Sequence, residues 1–169
     1  LQKIKSVIVE DEIAAREALK SYLIKYCPQI EIIGEAQNSK EGIELINSLQ
    51  PQLVFLDVEM PYGNAFDVLE GCKDVIFETI FVTAFSEYSL KALNQSAAYY
   101  LLKPVSIEEL ILAVNKVQQH LQNKELINRN KIIVEKLTDQ NNFKVILDDE
   151  ELGLKHKNEI GQKFFKVWQ

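Results

Sequence analysis

The sequence has few of the residues that mark a secreted, zinc-binding or membrane-spanning protein. Only two cysteines and two histidines occur among 169 residues, and they form no Cys-x-x-Cys or Cys/His cluster. We therefore expect no disulfide framework, and a reducing compartment is the simplest prediction. No apolar run approaches the roughly 18 residues that a transmembrane helix needs, and no signal peptide is apparent. These absences predict a cytoplasmic chain that contacts no membrane.

Positive charge is also in deficit. The chain holds 19 Lys and Arg against 25 Asp and Glu, which gives a formal net charge of -6. This balance argues against nonspecific binding of nucleic acid by the chain as a whole, and it favours a site that collects a cation. The hydrophobic content of 47% is typical of a globular domain with a normal core. The length suits one domain of about 120 residues with an appendage.

Strand and helix patterns alternate along the first two thirds of the chain. Short apolar runs predict strands over residues 5–9, 30–36, 53–56, 75–83 and 97–102. Helical periodicity predicts helices over 13–26, 39–49, 66–71, 86–93 and from 107 onward, with Ile13 opening the first apolar stripe and Ser39 and Ser106 as N-caps. Five β-α units predict an α/β fold, a doubly wound parallel sheet.

Polar residues stand where the apolar strands end. Glu10 and Asp11 follow the first strand, Asp57 the third, Thr83 the fourth and Lys103 the fifth. Because the carboxyl ends of parallel strands share one edge of a sheet, we expect these residues to converge there. A simpler alternative exists for the acids, since Asp11 or Asp57 can cap a helix or a turn.

The residue types at that edge suit phosphoryl transfer. Carboxylate oxygens are the ligands that Mg²⁺ prefers, and the metal would offset their mutual repulsion. Lys103 can meet one phosphoryl oxygen and the Thr83 hydroxyl can donate to another. Asp57 is placed to attack phosphorus, because carboxylates form acyl-phosphates. Phosphoryl transfer depends chiefly on positioning and charge neutralisation, and this set supplies both.

Four motifs give residues from about 4 to 121 a resemblance to a known family. They are IVED (8–11), LDVEMP (56–61), FVTAF (81–85) and YYLLKP (99–104). Together they resemble the receiver domain of two-component response regulators. The resemblance implies a flavodoxin-like, five-stranded parallel sheet in the order 2-1-3-4-5. It also implies an aspartyl-phosphate switch rather than an enzyme, with at most slow autodephosphorylation.

The resemblance assigns the acidic residues to two roles. Asp57 is the expected phospho-acceptor. Glu10, Asp11, Asp57 and the backbone carbonyl of Glu59 are the expected ligands of Mg²⁺. Position 10 departs from the family pattern, which more commonly has Asp there, and the longer Glu10 side chain is expected to reach the metal through water.

The remaining site residues are also assigned by resemblance. Lys103 is expected to contact the phosphoryl group, while Thr83 and Tyr100 are the expected switch hydroxyl and switch aromatic. Pro104 is expected to follow a cis peptide bond. Tyr99 and Tyr100 are adjacent on one strand, so their side chains should point to opposite faces of the sheet.

One segment narrows the resemblance further. Residues 82–104, VTAFSEYSLKALNQSAAYYLLKP, resemble receivers of the LytTR type, also described as LytR/AgrA-like. That subfamily implies a sensor histidine kinase as phosphodonor, a homodimer on phosphorylation, and transcription as the output. The signal would leave through the face formed by the fourth helix, fifth strand and fifth helix, and DNA would be contacted only through an output domain.

Residues 122–169 form a second region, predicted as a helical extension followed by a short strand near 143–147. This tail is too short for a complete LytTR domain, so we expect either the start of a truncated output region or a separate appendage. Both histidines, His120 and His156, are expected to be solvated. Two other functions stay open: a vestigial receiver acting as a phosphorylation-independent interaction module, and a haloacid-dehalogenase-like phosphatase.

Overall fold

The computed structural model describes residues 3–84, 99–139, 145–147 and 150–152. The chain divides into two compact units, Leu1–Leu121 and Gln122–Gln169. The helix predicted over 86–93, the first two residues of the strand predicted over 97–102, and His156 lie outside the described residues. Among the described residues, no helix has both the length and the apolar character needed to cross a membrane.

The first unit is built on a five-stranded parallel sheet. Its strands are β1 (Ile4–Val9), β2 (Ile30–Ala36), β3 (Leu53–Leu56), β6 (Glu78–Thr83) and β7 (Tyr99–Leu102), and their order is β2-β1-β3-β6-β7. Between β3 and β6 lies a separate two-stranded hairpin, β4 (Glu59–Met60) and β5 (Gly63–Asn64). Counted within the sheet alone, the strand order is 2-1-3-4-5, so the predicted flavodoxin-like fold is confirmed. The fourth sheet strand begins three residues later than predicted.

Four helices are described: α1 (Ile13–Tyr26), α2 (Ser39–Leu49), α3 (Ala65–Gly71) and α4 (Ile107–Asp139). The bounds of α1 and α2 are those predicted. Helix α3 begins one residue earlier than predicted because Asn64 caps it, in a reciprocal capping box with Asp67. At the start of α4, the Ser106 hydroxyl oxygen accepts a hydrogen bond from the Glu109 backbone N–H at 3.4 Å, so Ser106 acts as a cap as predicted.

The sheet separates two apolar clusters. Alternate residues of each strand point to opposite faces. On one face, residues such as Ile8, Phe55 and Ile80 pack with buried side chains of α1 and α4. On the other face, residues such as Val54 and Phe81 pack with α2 and α3. Burial on both faces explains why the central strands are apolar without alternation.

Two N-terminal details of the helices differ from the predictions. The N-cap of α2 is Asn38, whose side-chain oxygen accepts from the Glu41 backbone N–H at 2.9 Å, so the prediction that Ser39 caps this helix is wrong. Ser39 is instead buried, and its hydroxyl donates to the Tyr62 carbonyl at 3.0 Å. Ile13 was expected to open the buried stripe of α1, but its side chain is exposed.

The prediction that His120 is solvated is only partly right. Its side chain is half exposed, but its Nδ1 atom lies 3.3 Å from a carboxylate oxygen of Glu78. Glu78 opens β6, 42 positions earlier in the chain, and it is almost fully buried. A contact across that separation depends on α4 packing beside the sheet, which no local pattern indicates.

The second unit contains the remainder of α4, which ends at Asp139, and a short hairpin. The strands of the hairpin are β8 (Val145–Leu147) and β9 (Glu150–Leu152), which pair antiparallel. The helix thus continues into the region predicted as a helical extension, and β8 lies within the strand predicted near 143–147. It also places part of the following acidic run in a strand, which the sequence did not predict.

Candidate functional site

Three carboxyl groups meet at the carboxyl edge of the sheet. Oxygen atoms of Glu10, Asp11 and Asp57 all lie within 4.8 Å of one another. The strand ladders bring them together: the Asp57 N–H donates to the carbonyl of Val9, and the Glu10 N–H donates to that of Ala36, each at 3.0 Å. The convergence predicted from a shared sheet edge is therefore present for these three acids.

Lys103 lies inside this cluster. Its Nζ atom is 2.7 Å from Asp57 Oδ2 and 2.8 Å from each carboxylate oxygen of Glu10. Its backbone N–H donates to the carbonyl of Thr83 at 2.9 Å, which fixes the start of the loop after β7. The Lys103–Pro104 peptide bond is cis, as expected. The sequence predicted that Lys103 would reach this edge, but it did not predict that Lys103 would pair with Glu10.

Burial and neighbouring charges shift the protonation of two of these groups. Burial raises the pKa of Glu10 above its usual range, and the Asp57 carboxylate adds to that effect, while the hydrogen bond from Lys103 opposes it. Burial alone would lower the pKa of Lys103, but hydrogen bonds to Asp57 and Glu10 outweigh it and raise that pKa. Lys103 is therefore an ammonium at neutral pH. One ammonium among three carboxyl groups leaves capacity for a further cation.

The donor set fits Mg²⁺. This ion is bound by oxygen atoms, and sites of this kind commonly combine one or two carboxylates with water. Asp11 and Glu59 line an open cleft of about 520 Å³ together with Met60, Pro61, Gly63 and Asn64, so the cluster is open to solvent at Asp11. Glu59 itself is exposed, and its carboxyl group is not part of the three-carboxyl cluster.

The loop that carries Glu59 is held in a restricted conformation. The Val58 carbonyl accepts a hydrogen bond from the Ala65 N–H at 3.1 Å, which closes the loop at its base. Tyr62 has a φ of 64° and Gly63 a φ of 149°, and Ser39 holds the Tyr62 carbonyl from α2. Positive φ angles are uncommon outside glycine, so this loop depends on such contacts for its shape.

The two predicted switch residues lie on neighbouring strands. Thr83 is fully buried at the end of β6, in register with Leu102. Tyr100 stacks on Phe81, with ring centroids 5.4 Å apart and an interplanar angle of 16°. Burial raises the pKa of the Tyr100 hydroxyl. Tyr99 packs on the opposite face of the sheet, which confirms that the adjacent tyrosines point in opposite directions.

The capping alternatives for the two aspartates are wrong. The N-cap of α1 is Glu12, and no side chain makes a capping hydrogen bond there. The N-cap after β3 is Asn64, seven positions beyond Asp57. Both aspartates instead contribute carboxyl oxygens to the cluster.

Sequence reasoning missed one residue beside the site. Arg16 of α1 donates from Nη1 to the backbone carbonyl of Glu10 at 2.6 Å. Arg16 lies about one helical turn into α1, where an arginine ordinarily indicates a solvated helix face. Because its partner is a backbone atom, no side-chain pattern in the sequence could have indicated the contact.

Comparison with known families and proteins gives a consistent result. The family model described as "Response regulator receiver domain" matches residues 7–115. An uncharacterized response regulatory protein of Vibrio cholerae is 40% identical over 117 residues, which cover 68% of this chain and 49% of that protein. The transcriptional regulatory protein BtsR of Escherichia coli is 38% identical over 118 residues, 69% of this chain and 48% of that protein. The chain thus spans about half the length of these curated relatives.

Solved structures match the same part of the chain. A LuxR-family DNA-binding response regulator from Staphylococcus aureus is 35% identical, with a TM-score of 0.59, and the match covers 68% of this chain and 98% of that one. The REC domain of AraT from Geobacillus stearothermophilus gives a TM-score of 0.64 at 24% identity, covering 72% and 98%. The second match supports the fold alone.

Proposed function

The chain belongs to the response regulator receiver domain family, and from that premise we propose that it is a phosphorylation-controlled switch whose phospho-acceptor is Asp57. The observation that carries this proposal is the cluster in which Lys103 Nζ lies 2.7 Å from Asp57 Oδ2, beside two further carboxyl groups. Such a cluster supplies a nucleophile and both signs of charge at one point, which phosphoryl transfer requires.

Each site residue has a defined part in the proposed reaction. An Asp57 oxygen attacks phosphorus, the bond from phosphorus to a histidine nitrogen of a sensor kinase breaks, and an acyl-phosphate forms. When bound by Glu10, Asp11, Asp57 and the Glu59 carbonyl, Mg²⁺ would neutralise charge on the phosphoryl oxygens. Lys103 holds its ammonium against the same oxygens, and the Thr83 hydroxyl donates a hydrogen bond to one of them. Acyl-phosphate hydrolysis is at most slow, so the domain is a switch and not an enzyme.

The proposed output is a shift between two conformations of the surface near β7. Thr83 turns toward the phosphoryl group, and Tyr100 repacks from its stacked position on Phe81. The affected face is formed by the helix predicted over residues 86–93, by β7 and by the start of α4. Its affinity for a second copy of the chain then changes, which favours a homodimer. The charge added at Asp57 supplies the energetic bias between the two states.

Transcription is the output that the relatives support. BtsR of Escherichia coli is a transcriptional regulatory protein, and the matched Staphylococcus aureus structure is a DNA-binding response regulator. The run of residues 82–104 supports the LytTR subfamily in particular. We therefore include in the proposal a cytoplasmic location and contact with DNA through an output domain, not through the receiver surface.

Intact-protein mass spectrometry after incubation with acetyl phosphate tests the phospho-acceptor. We expect a gain of one phosphoryl group that requires Mg²⁺, is lost in Asp57→Asn, and is retained in Asp74→Asn. Asp74 is a matched control because it is an exposed aspartate outside the cluster. A gain that survives in Asp57→Asn would refute the assignment.

Two other outcomes would favour the rival functions. No gain in the folded wild-type protein would favour an interaction module that works without phosphorylation. Rapid multiple turnover of acetyl phosphate, with release of inorganic phosphate, would favour a phosphatase.

A further inference from the structure

Arg16 connects helix α1 to the turn that carries the two acids of β1. Its Nη1 atom donates to the Glu10 carbonyl at 2.6 Å, and its own backbone N–H donates to the Glu12 carbonyl at 2.9 Å. The Glu12 N–H in turn donates to a side-chain oxygen of Glu10 at 3.2 Å. The guanidinium therefore completes a closed set of hydrogen bonds around the Glu10–Asp11–Glu12 turn.

The carbonyl that Arg16 holds has a direct geometric link to Asp11. The carbonyl of Glu10 and the N–H of Asp11 belong to one planar peptide unit. Fixing the direction of that carbonyl fixes the plane, and the plane sets the position of the Asp11 Cα atom from which the side chain leaves the backbone. The Glu10 N–H is already fixed on the other side by the Ala36 carbonyl at 3.0 Å. Arg16 therefore constrains the ψ rotation of Glu10, which sets the peptide plane between the two acids.

Arg16 is itself held in place. Its side chain is only 14% exposed, and Nε lies 3.6 Å from a carboxylate oxygen of Glu35 in β2. Glu35 is in register with Ile8 of β1, so the anchor belongs to the sheet and not to a loop. Lys20 also binds Glu35, at 2.6 Å, but it makes no contact with the Glu10–Asp11 turn among the interactions described. Arginine suits this task because its planar fork can meet two acceptors at once.

We propose that Arg16 is a positioning residue, which sets the Glu10–Asp11 peptide plane and so pre-organises the acid pair for Mg²⁺. This inference rests on the proposed function, because it assumes that these acids bind the metal. It assigns a role to a side chain that contacts the backbone carbonyl of Glu10 and the carboxylate of Glu35, and not a carboxylate proposed to bind the metal. Residues that orient metal ligands typically change metal affinity by 10–100-fold when replaced.

The variants that test this role are Arg16→Met, Arg16→Lys and Lys20→Met. Arg16→Met keeps an unbranched apolar side chain but removes every donor. Arg16→Lys retains one ammonium that can reach the carbonyl, but not the fork that also meets Glu35. Lys20→Met is the matched control, since Lys20 lies on the same helix as Arg16 and its replacement also removes a cation from Glu35.

Two readouts separate positioning from a general loss of structure. Mn²⁺ affinity, measured by electron paramagnetic resonance with Mg²⁺ as competitor, should fall about tenfold in Arg16→Met, by less in Arg16→Lys, and not measurably in Lys20→Met. In the metal-free protein, the ¹⁵N–¹H resonance of Asp11 should move in Arg16→Met and stay in place in Lys20→Met. A merely structural role would lower the unfolding midpoint of Arg16→Met and leave the metal affinity of the folded fraction unchanged.

The outcomes distinguish this inference from the proposed function. A wild-type protein that binds the metal, together with an Arg16→Met variant that binds it equally well, overturns the role of Arg16 alone. A folded wild-type protein that binds neither Mn²⁺ nor Mg²⁺ overturns both the proposed function and this inference. An equal loss of metal affinity in Arg16→Met and Lys20→Met would also overturn the role of Arg16, because such a result would assign the effect to the charge around Glu35.

Discussion

Replacing Lys103 by methionine should destabilise the receiver unit, and the size of the effect should depend on whether Mg²⁺ is present. The substitution keeps most of the side-chain volume but removes the ammonium that lies between Glu10 and Asp57. The side chains of those two acids are only 2% and 8% exposed. The variant would therefore leave two buried carboxyl groups facing one another without their shared cation.

The structure sets the expected magnitude. Removing one partner of a buried ion pair typically costs about 3–5 kcal/mol, because the charge left behind stays buried. The Lys103 side chain is 19% exposed, so water can replace part of the lost contact. We therefore expect a loss near the lower end, about 3 kcal/mol of unfolding free energy. For a domain of this size that corresponds to a fall of about 12 °C in Tm.

Mg²⁺ should reduce this difference between the variant and the wild-type protein. The two proteins bind the cation at the same acids, but only the wild-type protein also holds an ammonium there that repels it. The variant should therefore bind Mg²⁺ more tightly and gain more stability from it. At saturating Mg²⁺ the difference between the two gains depends on the ratio of the two Kd values, so a tenfold lower Kd in the variant would offset about 1.4 kcal/mol of the loss.

Urea unfolding followed by circular dichroism, with EDTA or with excess Mg²⁺, measures both effects. Circular dichroism is preferable to fluorescence because the single tryptophan, Trp168, lies beyond the first unit. Lys20→Met is again the matched control: Lys20 is as close to Glu35 as Lys103 is to Asp57, but it lies in a more exposed place. An exposed pair contributes little, so that control should unfold like the wild-type protein. Equal behaviour of the two lysine variants in EDTA would refute the argument from burial.

Two other predictions concern the loop and the thiols. Gly63→Ala should lower the unfolding free energy by about 1–3 kcal/mol, because φ is 149° there and the added methyl group would meet the Ser39 hydroxyl and, at 2.9 Å, Asp67 Oδ2; an unchanged urea midpoint would show that the loop adapts. Burial raises the pKa values of Cys27 and Cys72, which disfavours the reactive thiolate, so both should react with Ellman's reagent far more slowly in the native protein than in urea. Equal rates in the two conditions would contradict their buried positions.

The sheet edge could be predicted because it depends on features that are local in sequence. Each strand is a short apolar run, and each run stops at a polar residue, so strand ends are visible without any knowledge of contacts. The rule that parallel strands share one carboxyl edge then brings Asp57 and Lys103 together, although they are 46 positions apart. The sequence thus located the members of the cluster, but not which of them would pair.

The features that could not be predicted are choices between equivalent local signals, or contacts between distant elements. Asn38 and Ser39 are adjacent, and both residue types are good N-caps. Tertiary structure decides between them, because Ser39 is drawn to the Tyr62 carbonyl. The Arg16 contact is hidden for another reason. Its partner is a backbone atom whose direction exists only once the turn has formed.

The separation of the apolar residues by the sheet has a consequence for how such a domain can change over evolutionary time. Side chains beneath α1 and α4 belong to one cluster and those beneath α2 and α3 to the other, and the strand backbones lie between them. Substitutions in different clusters should therefore have nearly additive effects on stability, because distant sites without shared partners rarely couple. A lineage can alter the packing under one pair of helices, and with it the surface they present, while the opposite layer keeps its sequence. The acidic edge of the sheet depends on both clusters, so substitutions in either cluster preserve it only where the strand ends stay in register.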